Sequence, residues 1–304
     1  MNLENRLRLM VDTDDDRWRR DTERLEGEIA RKYNRSMNKI VREVNKLYDR
    51  YADDEGVLNY GEIRRRKAWD KLYKLIKKEG DRLAEAEQRL FRRGLETELK
   101  KAYYLRVYQL AKLAVIPNPK WKKVTERIID VVLAFPWSGA QFSDRIWDNR
   151  DKLVKTIRRE LTQSFINGEH SDKVAKVLKK RFQTSTFNAR RLARTEMARV
   201  NYEAHRRVYR ENKVKEVMWI ATHDERTCKI CGPRDGRRYE FGNEPPLPAH
   251  PQCRCDVAPV PPDTDFNLRR HNQKDETGIK PTKRGEVRAY NSYEEWIEAN
   301  GIRI

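Results

Sequence analysis

The chain has 304 residues, with 67 Lys and Arg against 48 Asp and Glu, a net charge of +19, and equal 38% shares of charged and hydrophobic residues. That is too polar for one globule around a single large core. No apolar run approaches the ~18–20 residues that span a bilayer, so no membrane anchor is expected; the best stretch, 128–135, contains Asp130. The basic excess points to a polyanionic partner, most simply nucleic acid.

Residues 1–115 read as helix almost throughout. Trp18, Leu25, Ile29, Tyr33, Met37, Ile40, Val44, Leu47 and Tyr51 recur at intervals of three, four or seven. They form one apolar stripe on a helix of roughly 30 residues. ADDEG (52–56) ends it. A second helix starts near Tyr60 with Ile63, Trp69, Tyr73 and Ile76 inward. Gly80 is expected to interrupt it, and a third helix carries Leu83, Leu90, Leu95, Leu99 and Tyr103. Narrow stripes between charged faces suit helical hairpins or a docking arm.

IPNPKWKK (116–123) is a proline-marked joint, where a domain boundary is expected. A short helix spans about 124–134, followed by FPWSGAQFSDRIWDN (135–149), rich in aromatics and turn formers. Ser143 or Asp144 can cap the next helix, which runs to about Asn167 and ends at Gly168. Ser171 is expected to cap another, ending near Arg181 with Val174, Val177 and Leu178 inward. A further helix over about 187–212 has Ala189, Ala193, Met197, Val200, Ala204 and Val208 on one face. Residues 171–215 hold 14 Lys and Arg but only 4 Asp and Glu. Arg190, Arg191, Arg194, Arg206, Arg207 and Arg210 are therefore candidate phosphate contacts, the alternative being a solvated face.

Lys215 to Thr222 reads as a strand, alternating around Val217, Trp219 and Ala221. Four cysteines follow, the only ones in the chain: Cys228 and Cys231 as C-x-x-C, then Cys253 and Cys255 in HPQCRC with His250 beside them. Two pairs within reach of one ion suit structural zinc. The favoured ligands are Cys228, Cys231 and Cys253, with the fourth place open between His250 and Cys255. Disulfides need an oxidising compartment, and the opening MNLENRLRLM has no apolar leader core. Four reduced thiols packing a small domain is the plainer alternative. Between the pairs, PRDGRRYEF (233–241) with Asp235-Gly236 reads as a β-hairpin, and Trp219 is expected to be buried beside the cysteines. From about Val260 a loose, polar tail is expected, with one short amphipathic helix within 290–302.

The expected fold is thus mostly α with a small α+β C-terminal domain: a long-helix region (1–115), a helical segment plus Cys-rich hairpin domain (124–260), and a loose tail (261–304).

Several elements occur in a specific order: GAQFSDRIW before a helix, a Gly-Glu turn (168–169), ARTE (193–196), W-x-A (219–221), D-E-R-T-C-x-x-C (224–231), D-G (235–236) and P-x-H-P-x-C-R-C (248–255). Over about 137–260 the chain resembles the Mu-F-like minor head proteins of tailed bacteriophages, also called phage head morphogenesis proteins. The resemblance implies a low-copy, portal-associated component of the procapsid. It would be carried inside the virion head, bind packaged double-stranded DNA and act in DNA retention or ejection. The portal protein is the implied partner, with scaffold or major capsid protein as further candidates, and the host cytoplasm is the site of assembly.

No catalytic fingerprint is present, so no enzyme is expected: H-E-x-x-H, P-loop, G-x-S-x-G and Rossmann patterns are all missing. The competing classes are a metal-dependent nuclease using His223, Asp224, Glu225, Asp235 and His250, and a purely structural portal- or scaffold-interaction protein.

Overall fold

The computed structural model describes residues 3–221, 228–261 and 293–304. The described elements are α1 (Leu3–Tyr51), α2 (Tyr60–Arg65), α3 (Ala68–Lys112), α4 (Glu126–Ala134), α5 (Phe142–Ile166), α6 (Ser171–Glu211), β1 (Glu216–Ile220), a 3-10 turn (Gly232–Arg234), β2 (Arg238–Glu240), β3 (Asp256–Val260) and α7 (Tyr293–Ala299). The protein is mostly helical with one small antiparallel sheet, the expected class.

The first helix is longer than its apolar stripe announces. It runs for 49 residues, because the stripe extends upstream through Leu7, Met10 and Val11, all buried. Its end follows the expected chemistry: Asp53 Oδ1 accepts from the amides of Glu55 and Val57 at 3.1 and 2.8 Å. Gly56 takes φ +75, open to glycine at no steric cost. Asn59 then caps α2 by accepting from the Glu62 amide at 3.1 Å.

Gly80 does not interrupt. The 45-residue α3 passes straight through it, and the residue serves packing instead: a Cβ there would meet Val154 Cγ2 at 2.6 Å. The real break lies upstream at Lys67, with φ 55 between α2 and α3. The two helices expected over 171–212 are likewise one helix of 41 residues. FQTST (182–186) does not break it, because Thr184 and Thr186 turn their hydroxyls onto the carbonyls of Lys180 and Phe182 at 3.1 and 2.7 Å. The N-cap of α5 is Gln141, not Ser143 or Asp144: the helix starts at Phe142, and Asp144, in its first turn, accepts from the Gln141 amide at 3.0 Å as part of a capping box.

Two compact units emerge, each assembled from stretches distant in sequence: residues 1–22, 94–134 and 195–304 in one, and 23–93 and 135–194 in the other. The 116–123 joint lies inside the first. There Trp121 packs edge-on against Tyr104 and Trp296 at centroid distances of 6.1 and 5.5 Å. Trp296 of α7 is fully buried, so the short tail helix has a seat on its own chain. The second unit is all helix, with a core of Ile29, Tyr33, Ile40, Ile76, Phe91, Ile157, Leu161, Phe165, Val174 and Leu178.

The sheet belongs to the first unit. Its order is β2-β1-β3, with Val217 opposite Tyr239 and Trp219 opposite Val257. Here the structure differs from the expected hairpin. The residues before Asp235-Gly236 form the 3-10 turn, and β2 pairs with β1 rather than with an adjoining strand. β1 is central and buried on both faces from Val217 to Ile220, so it does not alternate.

Candidate functional site

Two tight turns converge in the first unit. In the first, the Cys231 and Gly232 amides donate to the Cys228 carbonyl at 3.2 and 2.9 Å. The Cys231 amide also lies 3.3 Å from Cys228 Sγ, so a backbone N–H faces the sulfur. In the second, the Cys253 amide donates to the His250 carbonyl at 3.1 Å, with Gln252 at φ 65. The Gln252 amide donates to Thr195 Oγ1 at 3.1 Å. This pins the second turn to α6 and gives the threonine of ARTE a structural role.

The turns bring the side chains together. His250 Nε2 lies 3.2 Å from Cys228 Sγ and 3.5 Å from Cys231 Sγ, and Cys231 Sγ lies 3.8 Å from Cys253 Sγ. Cys255 joins Cys231 and Cys253 in a second group close enough to share an ion. All four cysteines are free thiols, with Cys231 and Cys253 buried. Crowding splits their acidities. The Cys255 thiol hydrogen-bonds Cys253 and brings it down to about 5, against the opposing effect of burial. Burial and the neighbouring Cys253 push Cys231 up to about 12. Cys255 is pushed far up by its bond to Cys253 and by burial. Burial would lower His250, but the Pro251 carbonyl and the Cys253 and Cys228 sulfurs raise it. Sulfurs so close resist ionising together unless a cation neutralises them, which is the chemistry of a metal knuckle.

The arginines are less available than the sequence suggests. Arg190 and Arg194 both ion-pair with Glu26, at 3.0 and 2.8 Å. Arg206 reaches Glu244 at 3.4 Å and Arg207 reaches Glu211 at 3.2 Å. Arg191 and Arg210 are exposed. Exposed lysines stand elsewhere on the same elements: Lys176, Lys179 and Lys180 on α6, and Lys152 and Lys155 with Arg159 on α5. Their spacings of three, four and seven put each set on one helix face.

Of the nuclease candidates, His223, Asp224 and Glu225 lie outside the described residues. Asp235 has a structural partner: both its oxygens meet the Arg8 guanidinium, at 3.2 and 2.9 Å, and Oδ1 accepts from the Ala221 amide at 2.9 Å.

One constellation has no sequence signal. Asp14, Arg106, His205, Tyr209 and Asp256 meet, all buried, in the first unit. His205 Nε2 and Nδ1 each lie 2.8 Å from a carboxylate, of Asp14 and Asp256 respectively. Arg106 Nη2 lies 2.7 Å from Asp256 and 3.3 Å from Asp14, and Nη1 donates to Tyr209 Oη at 2.6 Å. These positions sit on four separate elements, so no local spacing betrays them. Arg106 faces both carboxylates, and Arg17 also pairs Asp14 at 2.7 Å.

No helix of the described residues is long and apolar enough to cross a membrane. Over 186 residues (55% of this chain, 36% of the relative) the chain is 24% identical to the NAD(+)-arginine ADP-ribosyltransferase EFV of Enterococcus faecalis. Over 115 residues (36% of this chain, 26% of the relative) it is 26% identical to a protein of Haemophilus influenzae. It thus matches about a third and a quarter of the lengths of these curated relatives. No solved structure gives a significant match. Residues 155–258, which hold the C-terminal part of α5, all of α6 and the cysteine turns, match the family described as Phage Mu protein F like protein. Across that stretch, about a third of the chain, the sequence is similar to the Mu-F-like family.

Proposed function

We propose that the protein is a minor head protein of a tailed phage, associated with the portal protein in the procapsid, that binds packaged double-stranded DNA without reading its sequence. It would assemble in the host cytoplasm, end in the virion interior and contribute to DNA retention or ejection. The observation that carries the DNA-binding part is the charge layout on α5 and α6. Lys152, Lys155 and Arg159, and Lys176, Lys179 and Lys180, are exposed on single helix faces within or beside the family-matched stretch. Each basic side chain set against a phosphate releases a condensed counterion, and such contacts carry no sequence information.

The apolar stripe of α1 is used inside the chain, from Leu7 to Leu47. A portal contact therefore falls on other surfaces, with the scaffold or major capsid protein as further partners of this reading. The activity in the Enterococcus relative's name belongs to a protein most of whose length lies beyond the matched region, and we assign no enzymatic activity. The nuclease alternative is weakened by the engagement of Asp235 with Arg8.

Fractionation of procapsids tests the placement. The protein is expected at low copy number relative to the shell protein, and it should stay with the portal protein when the shell is dissociated. Its absence from procapsids would contradict the reading. Cleavage of duplex DNA by the purified protein with Mg²⁺ or Zn²⁺ would favour the nuclease.

A further inference from the structure

Beyond that reading, and independent of it, three of the six edges that join Cys228, Cys231, Cys253 and His250 have the lengths of a coordination sphere, and Cys231 is shared by the two ligand groups, Cys228–Cys231–His250 and Cys231–Cys253–Cys255. In a tetrahedral zinc site with Zn–S of about 2.3 Å and Zn–N of about 2.0 Å, the sulfur–sulfur edge is about 3.8 Å and the sulfur–nitrogen edge about 3.5 Å. The observed separations are 3.8 Å for Cys231–Cys253, and 3.5 and 3.2 Å from His250 Nε2 to Cys231 and Cys228. A disulfide needs sulfurs about 2.05 Å apart, so the 3.8 Å pair is spaced for a shared ion and not for a covalent bond.

We propose that Cys228, Cys231, Cys253 and His250 hold one structural zinc ion, and that Cys255 is a thiol outside the coordination sphere that hydrogen-bonds to Cys253. The fourth place, open in the sequence between His250 and Cys255, goes to the histidine for three reasons. His250 Nε2 touches both sulfurs of the first turn, whereas Cys255 groups only with Cys231 and Cys253. His250 Nδ1 lies 2.9 Å from the Pro251 carbonyl, which keeps the proton on Nδ1 and leaves the Nε2 lone pair for the metal. Cys255 also lines a small cavity with Asp14, Trp18 and Asn201, which places it at the edge of the ligand cluster. Binding is balanced by loss of three thiol protons to solvent as three sulfur–metal bonds and one nitrogen–metal bond form. The ion would join the strand-linked loop to the turn that Thr195 holds on α6. A three-stranded sheet of short strands has little core of its own, and such a join stabilises small units.

The test uses the full chain, purified without chelators, with metal content and zinc-edge X-ray absorption measured on the same sample. One zinc per chain is expected, with three sulfur neighbours at about 2.3 Å and one nitrogen at about 2.0 Å. Cys255→Ser should keep one zinc per chain, whereas His250→Ala should weaken retention against a competing chelator by at least ~10-fold. Four sulfur neighbours in the wild-type protein, or loss of zinc from Cys255→Ser with retention by His250→Ala, would overturn the ligand set. No zinc, with four thiols reactive towards a disulfide reagent, would overturn the site. Should His250→Ala fail to fold, the wild-type absorption spectrum still decides.

Discussion

His205 faces a carboxylate with each ring nitrogen at 2.8 Å, an arrangement that suits the imidazolium, while the Arg106 guanidinium lies 3.0 and 3.2 Å from the same two nitrogens. Burial and the facing Arg106 work against that charge, but Asp256 and Asp14 win, and the pKa of the ring is raised. The same balance holds Asp256 low despite its burial, through His205 and Arg106. Arg106 and His205 set against Asp14 and Asp256, with Arg17 also on Asp14 at 2.7 Å, form a buried ionic network, and removing one partner strands the rest. Asp256→Asn should cost about 3–5 kcal/mol in urea unfolding; a loss below about 1 kcal/mol would show that the network does not hold the first unit together. A second buried acid gives a pH signature in the other unit. Burial pushes Glu87 up to about 7, only partly offset by the Tyr33 hydroxyl that donates to it at 2.9 Å. A raised carboxyl favours the folded state while protonated. Its contribution is complete below the unfolded value of about 4.3 and is lost as pH rises through 7. By pH 8 the ionised acid should cost on the order of 3 kcal/mol. Glu87→Gln should remove that decline, so that wild type and variant diverge in melting temperature between pH 5 and 8; parallel curves would rule the acid out as its source.

At the scale of elements, helix existence was legible and helix limits were not. The stripe from Trp18 to Leu47 marks α1 because burial recurs with the helical period. Its upstream extension was hidden by the acidic run Asp14–Asp15–Asp16, whose first member turns inward to Arg106 and His205. Gly80 and FQTST read as breaks because local propensity penalises glycine and β-branched residues in helices. Tertiary packing against Val154 and back-bonding hydroxyls overrode that penalty. The cysteine turns were legible from spacing alone, whereas the Asp14–His205–Asp256 cluster was not, since only the fold joins its parts. Gly80→Ala tests the packing role. It raises helix propensity by about 1 kcal/mol, yet its methyl would sit 2.6 Å from Val154 Cγ2. A net loss of about 1–2 kcal/mol is expected, relieved in the Gly80→Ala, Val154→Ala double variant. Stabilisation by Gly80→Ala alone would refute the packing argument.

For the whole molecule, the +19 charge says more about partners than about fold. The sequence concentrates that charge near α6, but it cannot tell a paired cation from an available one. Arg190 and Arg194 lean on Glu26, while Lys176, Lys179 and Lys180 face solvent. If the exposed faces meet phosphates, replacing these three lysines with alanine should lower the salt slope by nearly three units, at about 0.9 per phosphate contact. Replacing Arg190 should change it little. The most direct measurement is binding of the purified chain to duplexes of unrelated sequence by fluorescence anisotropy, over a series of salt concentrations. Affinity that falls log-linearly with salt, alike for every duplex and with a shallower slope in the triple-lysine variant, is the expected result. Absence of binding at low salt, or a slope that the three lysines do not alter, would contradict the account.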